Sequence, residues 1–217
     1  MLILFDIDAT LLTTQGVGMR SMVDAGRSLF GEKFHAEGVS FAGRLDPLLI
    51  REMFELAGVP FTPANVSAFR AEYHARIGEA LKKPGSGGAL PGVMPLLDRL
   101  RRDHAQITLG LLTGNFEETG SLKLKACGID PQWFAVRVWG DQSPHDPPRR
   151  EHLPAVGFGC YRTLHGRDVA CEHVTIVGDT PHDVSAALEN GCRCLGVATG
   201  AFKVEELLSA GAHHAIE

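Results

Sequence analysis

Two carboxylates stand two residues apart at the end of a short apolar run near the start of the chain. The run Leu2–Phe5 (LILF) is followed directly by Asp6 and then by Asp8. A short apolar run that ends in acids is typical of a buried strand. Because side chains alternate along a strand, Asp6 and Asp8 are predicted to point to the same side. Two crowded carboxylates repel each other unless a cation or a proton separates them, although a polar turn after a strand would have the same composition.

A second acid follows another apolar run, in the segment GDTPHD at residues 178–183. Thr180 suits a helix N-cap, Pro181 suits the first helical position, and Asp183 completes a pattern that resembles a capping box. Capping accounts for Thr180 and Asp183. It does not account for Asp179, which stands at the predicted strand end before the cap.

A third predicted strand end carries Thr113, Gly114 and Asn115. Thr113 offers a hydroxyl group, and the start of the following helix offers free backbone amides that suit an anion. Asn115 and Glu118 resemble a further helix cap, and a simple turn is the alternative reading of Gly114 and Asn115. Acids at two strand ends and a hydroxyl at a third predict a site for Mg²⁺ and phosphate, because Mg²⁺ prefers hard oxygen ligands.

These residues need a sheet that brings several strand ends to one edge. Apolar runs that read as strands recur at residues 107–112, 134–138, 174–177 and 194–197, and helical patterns such as residues 91–100 alternate with them. This alternation predicts an α/β fold, with a Rossmann-like parallel sheet and crossover helices. Ligands of such sheets bind at the carboxyl ends of the strands.

The alternation stops between residues 15 and 85, where only helical patterns occur. The first helix carries an apolar stripe, and two more helices are predicted over residues 47–58 and 66–81, before the Gly- and Pro-rich segment 82–92. The predicted stripe comprises Met19, Met22, Val23, Leu29 and Phe30. We therefore predict a core domain formed by residues 1–14 and 88–217, with a small helical domain, residues 15–87, inserted after the first strand.

Composition excludes several classes of protein. The net charge is -5 and acids and bases are interspersed, so the sequence lacks the clustered basic surface that nucleic acids require. It contains no apolar stretch of about 18 residues that could span a membrane, and the first twelve residues make a poor signal peptide. The five cysteines are scattered, which favours reduced thiols and a cytoplasmic location. The pair Cys192 and Cys194 lacks the second half of a zinc site and is expected to be structural.

Together the motifs resemble those of haloacid dehalogenase superfamily hydrolases of the phosphoglycolate phosphatase-like kind. The resemblance covers nearly the whole chain, in order: FDIDATL at 5–11, LLTGN at 111–115 and VGDTPHD at 177–183. The helical insert resembles the C1-type cap of that family, including FAGRLDPLL at 41–49.

The resemblance implies an aspartyl-phosphate mechanism and a Mg²⁺ cofactor. Asp6 would attack phosphorus, and Asp8 would act first as acid and then as base. Mg²⁺ would be held by Asp6, the Asp8 carbonyl and Asp179, with Asp183 supporting that sphere. The phosphoryl group would bind to Thr113 and its neighbours Gly114 and Asn115.

Two departures from the family pattern concern the motifs. Ala9 stands where glycine is usual, which reduces backbone freedom there. The usual lysine-proline of the third motif is missing, and Arg150, in an Arg-x-x-Leu-Pro segment, is the best replacement. Arg149, Lys123 and Lys125 are the rival cations.

The substrate is predicted only by class, as a small phosphorylated metabolite such as phosphoglycolate or a sugar phosphate. Arg44, in the cap, could bind an anionic tail of the substrate, or could form a surface salt bridge. A phosphomutase, a 2-haloacid dehalogenase and a non-catalytic binding protein of the same fold remain alternatives, although the resembling dehalogenases lack the acid at Asp8. The oligomeric state is left open.

Overall fold

A six-stranded parallel sheet forms the centre of the computed structural model, which describes residues 1–103 and 106–217. Its strands are β1 (Leu2–Phe5), β4 (Thr108–Leu112), β5 (Val136–Val138), β6 (Val174–Gly178), β7 (Arg193–Val197) and β8 (His214–Ile216). They lie across the sheet in the order β5-β4-β1-β6-β7-β8. All five predicted strands are therefore present. The structure adds β8 at one edge, paired in parallel with β7.

Strand β1 lies in the middle of the sheet, between β4 and β6. Leu2 is in register with Thr108 on one side and with Val174 on the other. Its side chains alternate between two hydrophobic clusters, with Leu2 and Leu4 in one and Phe5 in the other. A strand buried on both faces explains why LILF is apolar at every position.

Five helices of the core domain accompany the sheet. They are α4 (Val93–Asp103), α5 (Glu117–Ala126), α6 (Leu153–His165), α7 (Pro181–Glu189) and α8 (Val204–Ser209), with short 3-10 helices at Pro131–Trp133, Arg150–His152 and Cys171–His173. Hydrophobic clusters lie on both faces of the sheet. The predicted α/β, Rossmann-like fold is confirmed.

Three further helices follow the first strand, as predicted: α1 (Val17–Phe30), α2 (Asp46–Leu56) and α3 (Pro63–Leu81). They enclose a separate cluster with an aromatic centre, in which the rings of Phe34, Phe54 and Phe69 lie 5.5–6.0 Å apart. We call this helical segment the cap, and its division from the core at residues 15 and 87 stays a proposal.

The chain enters and leaves the cap through a two-stranded antiparallel ribbon that the sequence did not predict. It is formed by β2 (Leu12–Thr13) and β3 (Gly88–Ala89), with Leu12 opposite Ala89. Strands this short carry too little apolar alternation to be recognised. The ribbon gives the two connections a common exit point beside the first strand.

Two residues of the apolar stripe predicted for the first helix are exposed instead: Met19 and Leu29. In α1 the buried positions include Gly18, Ser21 and Gly26, and a Cβ on Gly18 would lie within 4 Å of Tyr73 in α3 and Lys123 in α5. Close helix packing favours small residues at the contact, which a count of apolar residues overlooks. Among the described residues, none of the helices is both long and apolar enough to cross a membrane.

Candidate active site

Three adjacent strands end at one place and carry the predicted site residues. Asp6 follows β1, Thr113 follows β4 and Asp179 follows β6. Because the three strands are parallel neighbours, their carboxyl ends meet at one edge of the sheet. The sheet thereby brings together residues that are 66 to 173 positions apart in the chain.

Three buried carboxylates form a compact cluster at this edge. Ligand atoms of Asp6, Asp179 and Asp183 all lie within 4.8 Å of one another. Burial raises the pKa of Asp6 to about 6, a rise that Arg150 opposes and Asp183 adds to. Burial, together with the charges of Asp6 and Asp183, raises the pKa of Asp179 to about 8. Such a cluster holds more negative charge than its protein partners offset.

Arg150 is the cation that reaches this cluster. Its Nη2 lies 3.0 Å from Asp6 Oδ1 and 2.6 Å from Asp183 Oδ1, and only 4% of its side chain is exposed. Its Nη1 donates to the carbonyl of Gly43 in the cap, 3.1 Å away. The two carboxylates raise the pKa of Arg150 against the opposing effect of burial, so the guanidinium stays charged.

The rival cations have other positions. Lys125 and Arg149 are exposed, and Arg149 pairs with Glu151 and Glu189 at the surface. Lys123 does enter the site, but it binds to Asp8 and not to Asp6. The site therefore contains two cations, each beside a different predicted catalytic acid.

Asp183 also performs the capping role that the sequence predicted. Its Oδ2 accepts hydrogen bonds from the backbone N–H and the hydroxyl of Thr180, while Thr180 Oγ1 accepts from the N–H of Asp183. Its other oxygen, Oδ1, accepts from Arg150. The side chain is completely buried, and both oxygens are occupied by protein donors.

Asp8 lies in a second polar network beside the acid cluster. Its Oδ2 accepts from Lys123 Nζ at 2.7 Å and from Asn115 Nδ2 at 2.8 Å. Asn115 also binds the Lys123 ammonium through Oδ1 at 2.6 Å and the hydroxyl oxygen of Thr113 through Nδ2 at 2.8 Å. Burial lowers the pKa of Lys123, but Asp8 and Asp46 outweigh burial and raise it, so the lysine is positively charged.

The prediction that Asn115 and Glu118 cap the next helix is wrong. Helix α5 has Phe116 as its N-cap residue, without a side-chain cap hydrogen bond. The amide of Asn115 is used in the Asp8 network instead. Asp46, from the cap, supplies a partner at this helix start, because its Oδ2 accepts from the N–H of Phe116 at 3.1 Å.

Ala9 takes up the strained backbone that glycine usually provides. Its φ is 55°, in the left-handed region that residues with a side chain rarely adopt. The hydroxyl of Thr199 donates to the Ala9 carbonyl. A Cβ placed on nearby Gly200 would lie 1.9 Å from Asp179 Oδ2 and 3.2 Å from Ala9 Cβ. The two loops thus pack closely around Asp179, and glycine at 200 leaves the space for its carboxylate.

A cavity of about 290 Å³ opens above these residues, between the core and the cap. Its core wall includes Asp6, Asp8, Thr113, Gly114, Asn115, Lys123, Arg150 and Asp179, and its cap wall includes Met19, Met22, Arg44, Asp46, Leu49 and Tyr73. All predicted substrate-binding residues line this cavity. Asp183 lies behind it.

The cap loop around Arg44 packs with its backbone directly against Gly114 of the LLTGN segment. A Cβ on Gly114 would lie 2.1 Å from the carbonyl oxygen of Arg44, and the N–H of Asp46 donates to the Gly114 carbonyl at 2.7 Å. The Arg44 guanidinium binds the carboxylate of Glu52 and the carbonyl of Ser40. A salt bridge, one of the two roles considered for Arg44, is therefore present.

Comparison with known proteins places this arrangement in a family. The sequence model described as haloacid dehalogenase-like hydrolase matches residues 3–197, which include all the acids of the site. The chain belongs to the haloacid dehalogenase-like hydrolase family. Members of this family generally use a divalent metal ion, and the buried cluster of Asp6, Asp179 and Asp183 is consistent with metal binding.

Two curated relatives and one solved structure illustrate the likeness. The chain is 25% identical over 209 residues to "Probable phosphatase IndB" of Dickeya dadantii, covering 96% of this chain and 86% of the relative. It is 25% identical over 198 residues to "Pyrophosphatase PpaX" of Anoxybacillus flavithermus, covering 90% and 82%. The structure of CbbY from Rhodobacter sphaeroides in complex with phosphate superposes with a TM-score of 0.75 at 20% identity, covering 99% and 92%.

These likenesses confirm that the chain is a phosphatase-like hydrolase of the haloacid dehalogenase-like family. They also confirm the fold, including the helical cap.

Three further residues line the cavity, and only Asp46 had a signal in the sequence, as part of the FAGRLDPLL segment. Tyr73 is buried, and burial raises its pKa well above the usual value. Asp46 is buried too, and burial raises its pKa to about 7 while Lys123 opposes the rise. Gly18 makes room for Lys123, because a Cβ on Gly18 would lie 3.2 Å from the ammonium nitrogen. A glycine inside a helix is the one feature that could have pointed to a close approach here.

Proposed function

We propose that this hydrolase is a Mg²⁺-dependent phosphatase, of the phosphoglycolate phosphatase-like kind, that cleaves a small phosphorylated metabolite through an aspartyl-phosphate. One observation carries the proposal. Three buried carboxylates, Asp6, Asp179 and Asp183, lie within 4.8 Å of one another, and Arg150 is the one cation paired with them among the described residues. When all three are ionised, these carboxylates and the Arg150 guanidinium together carry two excess negative charges, which a divalent cation would balance.

The residues present fit such an ion. Asp6 and Asp179, together with the backbone carbonyl of Asp8, would hold it, while Asp183 would support the sphere from behind, because its own oxygens bind Arg150 and Thr180. When bound, Mg²⁺ would reduce the repulsion between Asp6 and the anionic phosphate and hold the reacting oxygens in line. Oxygen ligands alone, with no sulfur or imidazole, suit Mg²⁺.

Asp6 supplies the nucleophile. Its carboxylate forms a bond to phosphorus while the bond from phosphorus to the ester oxygen breaks, and water then hydrolyses the acyl phosphate. Arg150, 3.0 Å from Asp6 Oδ1, orients the carboxylate and keeps it ionised. The β1 strand fixes the backbone, because the N–H of Asp6 donates to the Val177 carbonyl of β6 at 2.9 Å.

Asp8 carries the proton. It would donate a proton to the departing ester oxygen and then accept one from the water that attacks the aspartyl-phosphate. Its carboxylate is half-buried and faces the cavity, and Lys123 and Asn115 fix its Oδ2. The remaining oxygen is left to exchange the proton.

Thr113 and the cap complete the site. The Thr113 hydroxyl accepts from the Asn115 amide at 2.8 Å, so its own proton is available for a phosphoryl oxygen. Gly114 and Asn115 belong to the same wall, and Arg44 stands opposite, in the cap. A closed cap excludes bulk water from the aspartyl-phosphate.

The position of Asp8 favours a phosphatase over a dehalogenase. An attack on carbon releases a halide ion, which needs no proton from an acid. A half-buried carboxylate that opens on the same cavity as the nucleophile matches the needs of an alcohol leaving group.

The test is the release of inorganic phosphate from p-nitrophenyl phosphate and from a panel of small phosphate esters, with Mg²⁺ and then with EDTA. We expect Mg²⁺-dependent turnover that Asp6→Asn abolishes, while circular dichroism shows that the variant is folded. Near-normal turnover by pure Asp6→Asn would contradict the nucleophile assignment. Interconversion of phosphate isomers without phosphate release would identify a mutase, and absence of both Mg²⁺ binding and turnover would favour a non-catalytic protein.

A further inference from the structure

The cavity of this protein is small, and each cation that lines it among the described residues is already paired with a carboxylate. At about 290 Å³ it stands at the lower end of the range of ligand cavities, roughly 300–1,000 Å³. A phosphate group and a short carbon chain would fill it. The charges on the cavity walls therefore decide which substrates can enter.

Each cation that lines the cavity, among the described residues, has a carboxylate partner. Arg150 binds Asp6 and Asp183. Lys123 binds Asp8. The third cation is Arg44, whose guanidinium binds Glu52 on the next turns of α2. No described cation of the wall is left to receive a second anionic group of a substrate.

Acidic and neutral polar groups remain on the side of the cavity that faces the cap. Asp46 is buried at the start of α2 and uses Oδ2 to accept from the Phe116 N–H. Tyr73 adds a hydroxyl group from α3, close to Gly18 and Lys123. The phenol can bind a hydroxyl group as donor or acceptor, and the ionised carboxylate accepts from hydroxyl groups but repels a second carboxylate.

Apolar side chains form the rest of that wall. Met22 and Leu49 are buried in the cap, and Met19 lines the cavity from the same helix as Met22. Such a surface accepts the CH and CH₂ groups of a short polyol or a hydroxyalkyl chain. It cannot replace the water of hydration that a second charged group would lose.

We infer that the substrate is a phosphate monoester whose remaining part is short, uncharged and hydroxylated, and that the cavity rejects esters with a second anionic group. The inference rests on the proposed function, and it departs from the expectation of phosphoglycolate, whose tail is a carboxylate. Asp46 is the specificity-determining residue, because it lines the cavity and forms no salt bridge with any cation among the described residues; the nearby Lys123 is bound to Asp8.

Matched pairs of esters test this directly. 2-Hydroxyethyl phosphate and 2-phosphoglycolate share one skeleton, as do glycerol 3-phosphate and 3-phosphoglycerate, and each pair differs by a CH₂OH group in place of a carboxylate. Burial raises the pKa of Asp46 to about 7, so the assay is run at pH 8, where this carboxyl is mostly ionised. We expect kcat/KM to favour the uncharged member of each pair by about ten-fold or more, which corresponds to one unfavourable charge contact.

The outcomes separate the two proposals. If p-nitrophenyl phosphate is hydrolysed but the uncharged members are not preferred, this inference is wrong and the phosphatase proposal stands. If none of the esters, p-nitrophenyl phosphate included, is hydrolysed, the proposed function fails and the inference fails with it.

A variant pair locates the effect. Asp46→Asn removes the charge but keeps an oxygen that can accept from the Phe116 N–H, and we expect it to reduce the preference for uncharged esters about ten-fold, mainly through KM for the carboxylate ester. Glu55→Gln removes the same charge from the exposed side of the same helix and is expected to leave the preference unchanged. An unchanged preference in folded Asp46→Asn, or an equal change in Glu55→Gln, would overturn the assignment of Asp46.

Discussion

The ammonium nitrogen of Lys123 lies 2.7 Å from the carboxylate of Asp8. The lysine is buried, whereas the aspartate is partly open to the cavity. The pair thus holds the proposed acid in one place without closing it off. Arg150 stands in the same way beside the proposed nucleophile, Asp6, so each of the two proposed catalytic acids is paired with its own cation.

Replacing Lys123 with Met should impair catalysis without unfolding the protein. The methionine fills the space but leaves Asp8 without its cation, and we expect kcat to fall by about 10²-fold, the lower range for general acid–base catalysis. Lys125→Met changes an exposed lysine on the same helix and should have no effect. Steady-state kinetics and the leaving-group dependence of kcat would check this, because esters with good leaving groups should be affected least. Equal loss with every leaving group would argue against a role through Asp8.

Replacing Arg150 with Ala should reduce both stability and activity. Asp6 and Asp183 would lose their cation in a buried place, and breaking a buried pair in this way typically lowers the free energy of unfolding by about 3–5 kcal/mol. Arg150→Lys should recover part of the stability, since a single ammonium cannot reach all the acceptors of the guanidinium. Urea unfolding measures the first effect and phosphate release the second.

Arg149→Ala is the matched control for this experiment. Its side chain is exposed and pairs with acids at the surface, where such pairs contribute about 0–1 kcal/mol. If Arg149→Ala had the larger effect, the choice of Arg150 as the replacement cation would be wrong.

A methyl group at Gly200 should weaken metal binding. The added Cβ would stand 1.9 Å from Asp179 Oδ2, so the carboxylate must leave its present position in the acid cluster. We expect Gly200→Ala to lower Mg²⁺ affinity by about 10- to 100-fold, as loss of support for a ligand typically does. The increase of the melting temperature on adding Mg²⁺ would report this without any assay of activity.

Gly159→Ala serves as the control, because its added Cβ in α6 meets no atom within 4 Å. It should keep the full Mg²⁺ effect and stabilise the helix by about 0.5–1 kcal/mol. Normal Mg²⁺ stabilisation of Gly200→Ala would show that Asp179 is not held where we place it.

Asp46 should make the stability of the protein depend on pH between about 4 and 7. Burial raises the pKa of its carboxyl to about 7, with Asp8 and Glu118 adding to the rise and Lys123 opposing it. The folded state therefore keeps a proton that the unfolded state releases above its ordinary value near 3.8. Folded and unfolded states bind that proton alike below pH 3.8, and stability is lost as the pH rises from there to about 7.

The Asp46→Asn variant has no such proton to lose. Its free energy of unfolding should fall less than that of the wild-type protein between pH 4 and 7, whereas Glu55→Gln should follow the wild type. Urea unfolding in a series of buffers, with EDTA present, measures the difference. Parallel curves for the wild type and Asp46→Asn would contradict the raised pKa.

Arg70 joins the cap to the core and should govern how far the cap opens. From α3 it binds Glu118 through Nε and Nη2 at 2.9 and 3.0 Å and Asp141 through Nη1 at 2.9 Å, and its guanidinium lies 3.9 Å from the centre of the Phe116 ring. We expect Arg70→Gln to open the cap, with a larger radius of gyration in solution scattering and a KM several-fold higher. Arg76→Gln breaks a pair within the cap, with Glu72, and should change neither quantity. No difference between the two variants would mean that the cap is held by its apolar contacts.

The sequence allowed the sheet and most of the site to be predicted, because local signals coincide there. Apolar runs mark β1, β4 and β6, and each is followed by a residue that packing alone does not explain. Helix α7 begins as its capping pattern predicts. These features depend on neighbours in the chain, so they can be read without the fold.

The parts that were missed depend on contacts between distant segments. Asn115 looks like a helix cap in the sequence, but its amide binds Asp8, 107 positions away. Lys123 appeared only as a rival cation, because nothing local distinguishes it from Lys125. Burial decides between these two lysines, and burial follows from the approach of α1 through Gly18.

Through its hydrogen bond to the Gly43 carbonyl, the Arg150 guanidinium binds the cap as well as the acids of the core. If the cap moves away from the core, Arg150 Nη1 loses this acceptor and must donate to water instead. Asp6 would then be held less firmly when the cap is open. A closed cap would hold Asp6 in place but would block the exchange of ligands. The hydrogen bond between Arg150 and Gly43 thereby couples the position of the cap to the orientation of the proposed nucleophile.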